Sequence, residues 1–171
     1  NDTSKWDRLF VPSNWQLHGY DSPQYTNIRY PFPVDLPRVP KTTPAGVYST
    51  DFVIENDMDV FNKYIIFEGV DSCLYLYING QFVGYSQISH MAAEYDITKY
   101  LHTGKNRLTA IVSKWCDGSY LEDQDKWRLS GIFRDVYLLF RPKGHINDIS
   151  LRTDISEDYR TATIKLDIDS P

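Results

Sequence analysis

The chain carries none of the short motifs that announce a chemistry. There is no P-loop, no G-x-G-x-x-G, no H-E-x-x-H and no C-x-x-C, so nothing points to nucleotide binding, zinc proteolysis or a thioredoxin-like redox centre. No apolar run reaches the ~18 residues of a membrane-spanning helix, and no signal peptide opens the chain. The start at Asn1 and the stop at Pro171 look arbitrary, so the chain is expected to be a piece of something longer. The missing signal therefore leaves the compartment open, cytoplasm or periplasm. Positive charge is also scarce: 18 Lys and Arg stand against 23 Asp and Glu, a net charge of −5. That excludes the basic stripe that nucleic acid or an anionic membrane would need. Only two cysteines occur in 171 residues, too few for a disulfide scaffold. Cys73 and Cys116 could pair or stay free, and both sit in runs that read as buried thiols. Finally, no segment supports a helix of three turns.

What the chain does have is aromatic residues, 15% of the total and led by 13 tyrosines. That suits a β-rich fold with amphipathic rings at its loops. It also suits sugar binding, because the C–H faces of a pyranose stack on rings, although strand and core positions account for most of them. A chain of this length buries roughly two-thirds of its unfolded surface and can hold a true core.

Residues 1–46 hold Pro12, Pro23, Pro31, Pro33, Pro37 and Pro40 among Trp15, Tyr20, Tyr25, Tyr30 and Phe32. The prolines predict extended chain lying against a sheet, and the aromatics require a packing partner. From Val47 the pattern is strands. In VYSTDFVIE, Tyr48, Thr50, Phe52 and Ile54 are predicted to face the core. YIIFEGV follows, and Asn79-Gly80 between LYLYI and QFVGY predicts a type I′ hairpin. AEYDITKYL reads as a turn or one-turn helix capped by Asp96. A Gly-Lys-Asn turn then leads to a strand over Arg107–Trp115, and GIFRDVYLLFRP is one strand ended by Pro142. Short strands at this spacing predict an antiparallel β-sandwich. After Pro142-Lys143-Gly144, HINDISLRTDIS and EDYRTATIKLDIDS begin afresh. Residues 143–171 are expected to start a second β domain, truncated here, or to be a strand pair docked on the first, residues 1–142.

The chemistry concentrates in Gly118–Val136, GSYLEDQDKWRLSGIFRDV. It packs Glu122, Asp123 and Asp125 beside Lys126, Trp127 and Arg128. Two carboxylates of an extended segment lie ~6.5–7 Å apart, near the ~5–5.5 Å of a retaining glycosidase pair. But three adjacent acids repel one another, and no apolar neighbour singles one out to stay protonated. They are not read as a catalytic pair. Glu122 and Asp123 are expected to brace the loop against Arg128, Arg134 or a following domain, and Arg134-Asp135 to form an ion pair. Asp125 suits a hydroxyl donor or a hard cation, since a carboxylate is acceptor-only; a tie to Arg128 or to backbone donors is the competing role. Asn27 alone reads as a turn residue. His18, His90, His102 and His145 read as hydrogen-bonding loop residues, and Trp15 and Trp127 as loop anchors rather than sugar platforms.

Taken together, VPSNWQLHGYDSPQYTNIRYPF, GVYSTDFVI, NGQFVGYSQ, EYDITKYLHTGKNRL and above all DGSYLEDQDKWRLSGIFRDVYL resemble the N-terminal, sugar-binding domain of β-galactosidases of glycoside hydrolase family 2. The resemblance runs from about Trp6 to Pro142. It implies an all-β, jelly-roll-type antiparallel sandwich, galactose-binding-domain-like, followed by the first strands of an immunoglobulin-like domain. It implies a parent enzyme that hydrolyses terminal non-reducing β-D-galactosides with retention, using carboxylates on a TIM barrel outside this chain. It also implies a homo-oligomeric parent. By the same resemblance Asn27, in YTNIRYP, and Asp125, the last Asp of SYLEDQD, contact the galactosyl group. Asp125 further supplies one corner of a sodium site, and the magnesium site belongs to the barrel. No catalytic residue is expected in this chain, and the segment alone is expected to be inactive. Two other functions compete: a free-standing carbohydrate-binding module, and a purely structural sandwich.

Overall fold

The structure is a computed structural model that describes residues 2–55, 58–122 and 125–170. The described residues form thirteen strands: β1 (Gln24–Thr26), β2 (Ala45–Ile54), β3 (Phe61–Phe67), β4 (Val70–Asp71), β5 (Cys73–Ile78), β6 (Gln81–Ser86), β7 (Ala93–Asp96), β8 (Gly104–Ser113), β9 (Lys126–Arg128), β10 (Gly131–Ile132), β11 (Val136–Pro142), β12 (Asp148–Ile155) and β13 (Ala162–Asp169). The remaining regular structure among the described residues is four short 3₁₀ turns, and no helix there is long and apolar enough to cross a membrane.

Two antiparallel sheets make the body, one of four strands in the order β2-β8-β5-β6 and one of three in the order β11-β3-β7. Strand periodicity sends alternate side chains to opposite faces. Leu74, Leu76 and Ile78 of β5 and Ala110 and Val112 of β8 thereby meet Ile65 and Phe67 of β3 in one buried cluster, which Trp15, Val70, Ile97 and Ile132 complete. Tyr48 and Phe52 pack on that core while Val47 and Val53 of the same strand face solvent, as the alternation predicts; Thr50, expected on the core side, is exposed. Asn79 and Gly80 both have positive φ, which a type I′ turn demands. Asn79 also ties the hairpin down through Asn106 (2.8 Å).

Several boundaries differ from the sequence-based expectation. Ala93–Asp96 is a strand paired with β3; only Thr98–Tyr100 turns, with Asp96 accepting from the Thr98 N–H (2.8 Å). Strand β8 begins at Gly104, because its partner β2 is long enough to pair from Ile54 onward. GIFRDVYLLFRP is two strands, since β10 pairs with β4 and β11 with β3.

Strands β12 and β13 pair with each other in register from Asp148↔Asp169 to Ile155↔Ala162, and with no other strand among the described residues. Within the stretch expected to be extended, Trp15–His18 forms a 3₁₀ turn, and the proline-rich segment 29–40 is interrupted by a turn that the Arg38 N–H closes on the Asp35 carbonyl (2.7 Å). The segment lies over a ring cluster in which Phe32 meets Trp115 and Tyr120 edge-on, at 5.1 and 5.4 Å.

Candidate functional site

The stretch Gly118–Val136 is clamped from three sides. Its first turn, Asp117–Tyr120, is anchored by the Tyr120 hydroxyl, which donates to the Arg38 carbonyl (2.6 Å) and accepts from the Asp35 N–H (3.1 Å). Tyr30 in turn donates to the Tyr120 carbonyl (3.0 Å). At the far end the N-terminal segment runs alongside: the Ser13 N–H donates to Ile132 O and the Trp15 N–H to Ser130 O. Gln16 closes this seam by accepting from the buried Ser130 N–H (2.8 Å). Gly131 is required here. Its φ is +128° and a Cβ would lie 2.8 Å from the Ser13 carbonyl.

Between these anchors β9 pairs with β1, Thr26 opposite Lys126 and Gln24 opposite Arg128. The short strand alternates, and this decides the site. Lys126 and Arg128 turn inward and Trp127 turns outward. Arg128 is 5% exposed; its Nε donates to Thr26 Oγ1 (2.8 Å) and an Nη to the Glu122 carbonyl (3.2 Å). One guanidinium thus joins both strands to the acidic loop. Burial draws its pKa down, but an arginine keeps its charge. Lys126 reaches Asp71 (3.4 Å). Burial pushes the Asp71 carboxyl above its ordinary value, Lys126 pulls it back and the nearby Glu122 adds to the rise.

Glu122 does not brace against Arg128 through its carboxylate. That carboxylate accepts from the Ser89 N–H (2.9 Å) and hydroxyl (2.6 Å), and only the Glu122 backbone receives Arg128. Arg134 likewise forms no ion pair with Asp135 among the described contacts; it donates to the carbonyls of His90 (3.1 Å) and Glu68 (3.5 Å). Asp123 lies outside the described residues.

Asn27 and Asp125 directly follow and precede the Thr26–Lys126 pair that ends the ladder, and both are exposed. The Asn27 side-chain oxygen accepts from the Ile28 N–H (2.7 Å), which leaves its amide NH₂ to act as a donor. The Tyr25 phenol donates to an Asp125 carboxylate oxygen, and this bond holds the phenol's pKa above its usual value. Trp127 is 59% exposed and its ring stands 5.7 Å from that of Tyr25.

Trp127 therefore departs from the loop-anchor expectation, whereas Trp15 fulfils it, buried against Gly46. The signal for Trp127 was its place between two cations that a strand would bury. The four side chains Tyr25, Asn27, Asp125 and Trp127 present a carboxylate acceptor, an amide donor and apolar ring faces. That set suits a hydroxylated ring ligand, and its oxygens suit a hard cation. No group of three or more acidic, His or Cys side chains able to hold a metal occurs among the described residues.

Comparison with known proteins gives a consistent picture. Residues 2–142 match the family described as glycosyl hydrolases family 2, sugar binding domain. A β-galactosidase of Yersinia pestis bv. Antiqua (strain Angola) is 53% identical over 166 residues, 96% of this chain. A β-galactosidase of Yersinia pseudotuberculosis serotype O:1b matches to the same extent. The chain spans only 16% of the length of each. Among solved structures, a β-glycosidase from Bacteroides vulgatus aligns over 99% of this chain and 21% of its own, at TM-score 0.71 and 26% identity. A β-glucuronidase from Bacteroides uniformis aligns at TM-score 0.75 and 22% identity, over 97% of this chain and 19% of its own, a likeness of fold alone.

Proposed function

Because the chain belongs to the sugar binding domain family of glycosyl hydrolases family 2, we propose that it is the non-catalytic N-terminal domain of a retaining β-galactosidase acting on terminal non-reducing β-D-galactosides. The observation that supports this reading is the β1–β9 ladder, with Asn27 and Asp125 adjoining its Thr26–Lys126 end, the Tyr25 phenol donating to Asp125 and the Trp127 ring next to that of Tyr25. The 53% identity to β-galactosidases favours a galactoside as substrate. On this reading residues 1–142 are a jelly-roll, galactose-binding-like sandwich. Residues 143–171 open an immunoglobulin-like domain, which accounts for the solvent-facing β12–β13 pair.

Asn27 and Asp125 orient the sugar; they do not transfer protons or form bonds to it. The Asn27 NH₂ donates to a ring hydroxyl and the Asp125 carboxylate accepts from another. Holding a substrate at a fixed angle contributes to rate without chemistry, and a misplacement of ~1 Å costs ~100-fold. The Asp125 carboxylate would also help hold a sodium ion, with the remaining ligands supplied by the rest of the enzyme. The nucleophile, the acid and the magnesium site belong to the barrel of a homo-oligomeric parent.

The test is made on the full-length protein with aryl β-galactoside and aryl β-glucuronide substrates. The galactoside is expected to be turned over and the glucuronide not. Asp125→Ala is expected to lower kcat/KM ~100-fold while the urea midpoint of unfolding stays put. Unchanged kcat/KM in both Asp125→Ala and Asn27→Ala would show a domain that only supports its neighbours. The 171-residue chain alone is expected to show no turnover, and millimolar or tighter binding of galactose to it in calorimetry would favour a free-standing binding module.

A further inference from the structure

We infer that Tyr25 is a positioning residue for the sugar: its phenol sets the direction of the Asp125 carboxylate. The inference rests on the proposed function, in which Asp125 accepts from a sugar hydroxyl.

The geometry comes from the short ladder. Tyr25 lies opposite Trp127, and Asp125 stands two residues before Trp127 in the chain. Tyr25 and Asp125 are therefore diagonal neighbours across the strands. Such neighbours lie ~7–8 Å apart, a gap within reach of an aromatic or long side chain. The Tyr25 phenol spans it and donates to one Asp125 carboxylate oxygen. A serine or threonine at the same place would fall short.

The phenol is itself held. Its ring rests tilted against that of Trp127, with centroids 5.7 Å apart and planes at 55°. On the inward side of the same strands, Arg128 donates to Thr26 Oγ1 (2.8 Å) and ties β9 to β1. A tyrosine has only two side-chain torsions, so fixing it costs little entropy.

Three properties suit this bond to orienting a sugar. Asp125 is exposed, and a carboxylate there without a partner would move among several rotamers; the phenol selects among them. A carboxylate has two acceptor oxygens, so a bond to one leaves the other whole for a ligand. A neutral donor also leaves the negative charge uncancelled. The neighbouring cation Lys126 would cancel it, but that side chain turns inward and reaches Asp71 (3.4 Å). Asn27 is held in the same manner: its side-chain oxygen is taken by the Ile28 N–H (2.7 Å), and its NH₂ is left to donate. In both residues one polar atom is used by the domain and the other is presented to the ligand.

The experiment uses Tyr25→Phe, which keeps the ring beside Trp127 and removes only the donor. The full-length parent, Tyr25→Phe, Asp125→Ala and the double variant are compared on an aryl β-galactoside. Tyr25→Phe is expected to lower kcat/KM ~10-fold, with a rise in KM and an unmoved urea midpoint. In the Asp125→Ala background the same change is expected to cost less than ~2-fold, because the carboxylate it acts through is gone. Equal losses in both backgrounds overturn the inference, since they mark a role that does not pass through Asp125. A fall in kcat with KM unchanged overturns it too, since it marks a smaller active fraction. Unchanged kcat/KM in Tyr25→Phe beside a clear loss in Asp125→Ala overturns it and leaves the sugar contact of Asp125 standing. Unchanged kcat/KM in Asp125→Ala overturns both.

Discussion

The pairs β1–β9 and β12–β13 both stand outside the two main sheets, and they differ in what lies behind them. The first spans three residues a side, yet its inward side chains are held: Arg128 by Thr26 and Glu122, Lys126 by Asp71. The second spans eight residues a side. Its Ile149, Leu151, Leu166 and Ile168 share one face, and each is at least half exposed. Length of ladder and strength of anchoring are separate properties. An isolated two-stranded pair is marginal in water unless something covers its apolar face. The charged side chains under the short ladder are tied to the surrounding chain, while the apolar face of the long one stands in solvent.

The comparison can be broken at four points. Replacing Arg128 by Ala removes the cation under β9 and leaves the Thr26 hydroxyl and Glu122 carbonyl without their donor. Loss of such a buried charge is expected to cost about 3 kcal/mol, read as a lower urea midpoint in the full-length protein. An unchanged midpoint would mean that backbone pairing alone holds the ladder. Gly131→Ala forces a Cβ against the Ser13 carbonyl at positive φ, and about 2 kcal/mol is expected to be lost, detectable in the same titration. If the midpoint does not move, the N-terminal seam is not part of the clamp.

Asp71 gives a smaller effect with a definite sign. Its folded-state pKa lies above the unfolded value of 3.8. The stability it contributes is therefore complete below that value and is lost as pH rises through the folded pKa. Asp71→Asn cannot ionise, so its melting temperature relative to the parent is expected to rise between about pH 4 and pH 7. A difference that is flat or falls with pH would show that the pairing with Lys126 outweighs burial.

The smallest effect belongs to the long hairpin. Leu166→Ser in the 171-residue chain is expected to shift unfolding by less than about 0.5 kcal/mol, because that side chain already faces water. In the full-length protein the same change is expected to cost more than that. Equal effects in both would mean that the face stays uncovered in the parent.

What could be read in advance follows from the range of the forces involved. The Asn79-Gly80 turn and the two faces of β2 are local, written in backbone preference and in a period of two, and both were legible. The β1–β9 pairing was not. Arg128 and Thr26 are 102 residues apart, and a ladder of three residues leaves no periodic trace. Charge misled as well: Lys126 and Arg128 were grouped with the acidic loop, whereas they are the inward half of a strand. Trp127 was set aside for the same reason, since its outward direction is only evident once its neighbours are known to be buried. Asn27 and Asp125 were singled out by family resemblance, not by chemistry that either displays alone.

The seam between Gln16 and Ser130 carries a consequence for how such a chain is made. The two residues are 114 apart, and a ribosome delivers the N-terminal one first, at ~5–20 residues per second. Trp15 and its neighbours must wait several seconds, with apolar rings unsheltered, until the segment that docks them has been translated. During that interval the nascent chain is a natural client for a chaperone that recognises exposed aromatic segments.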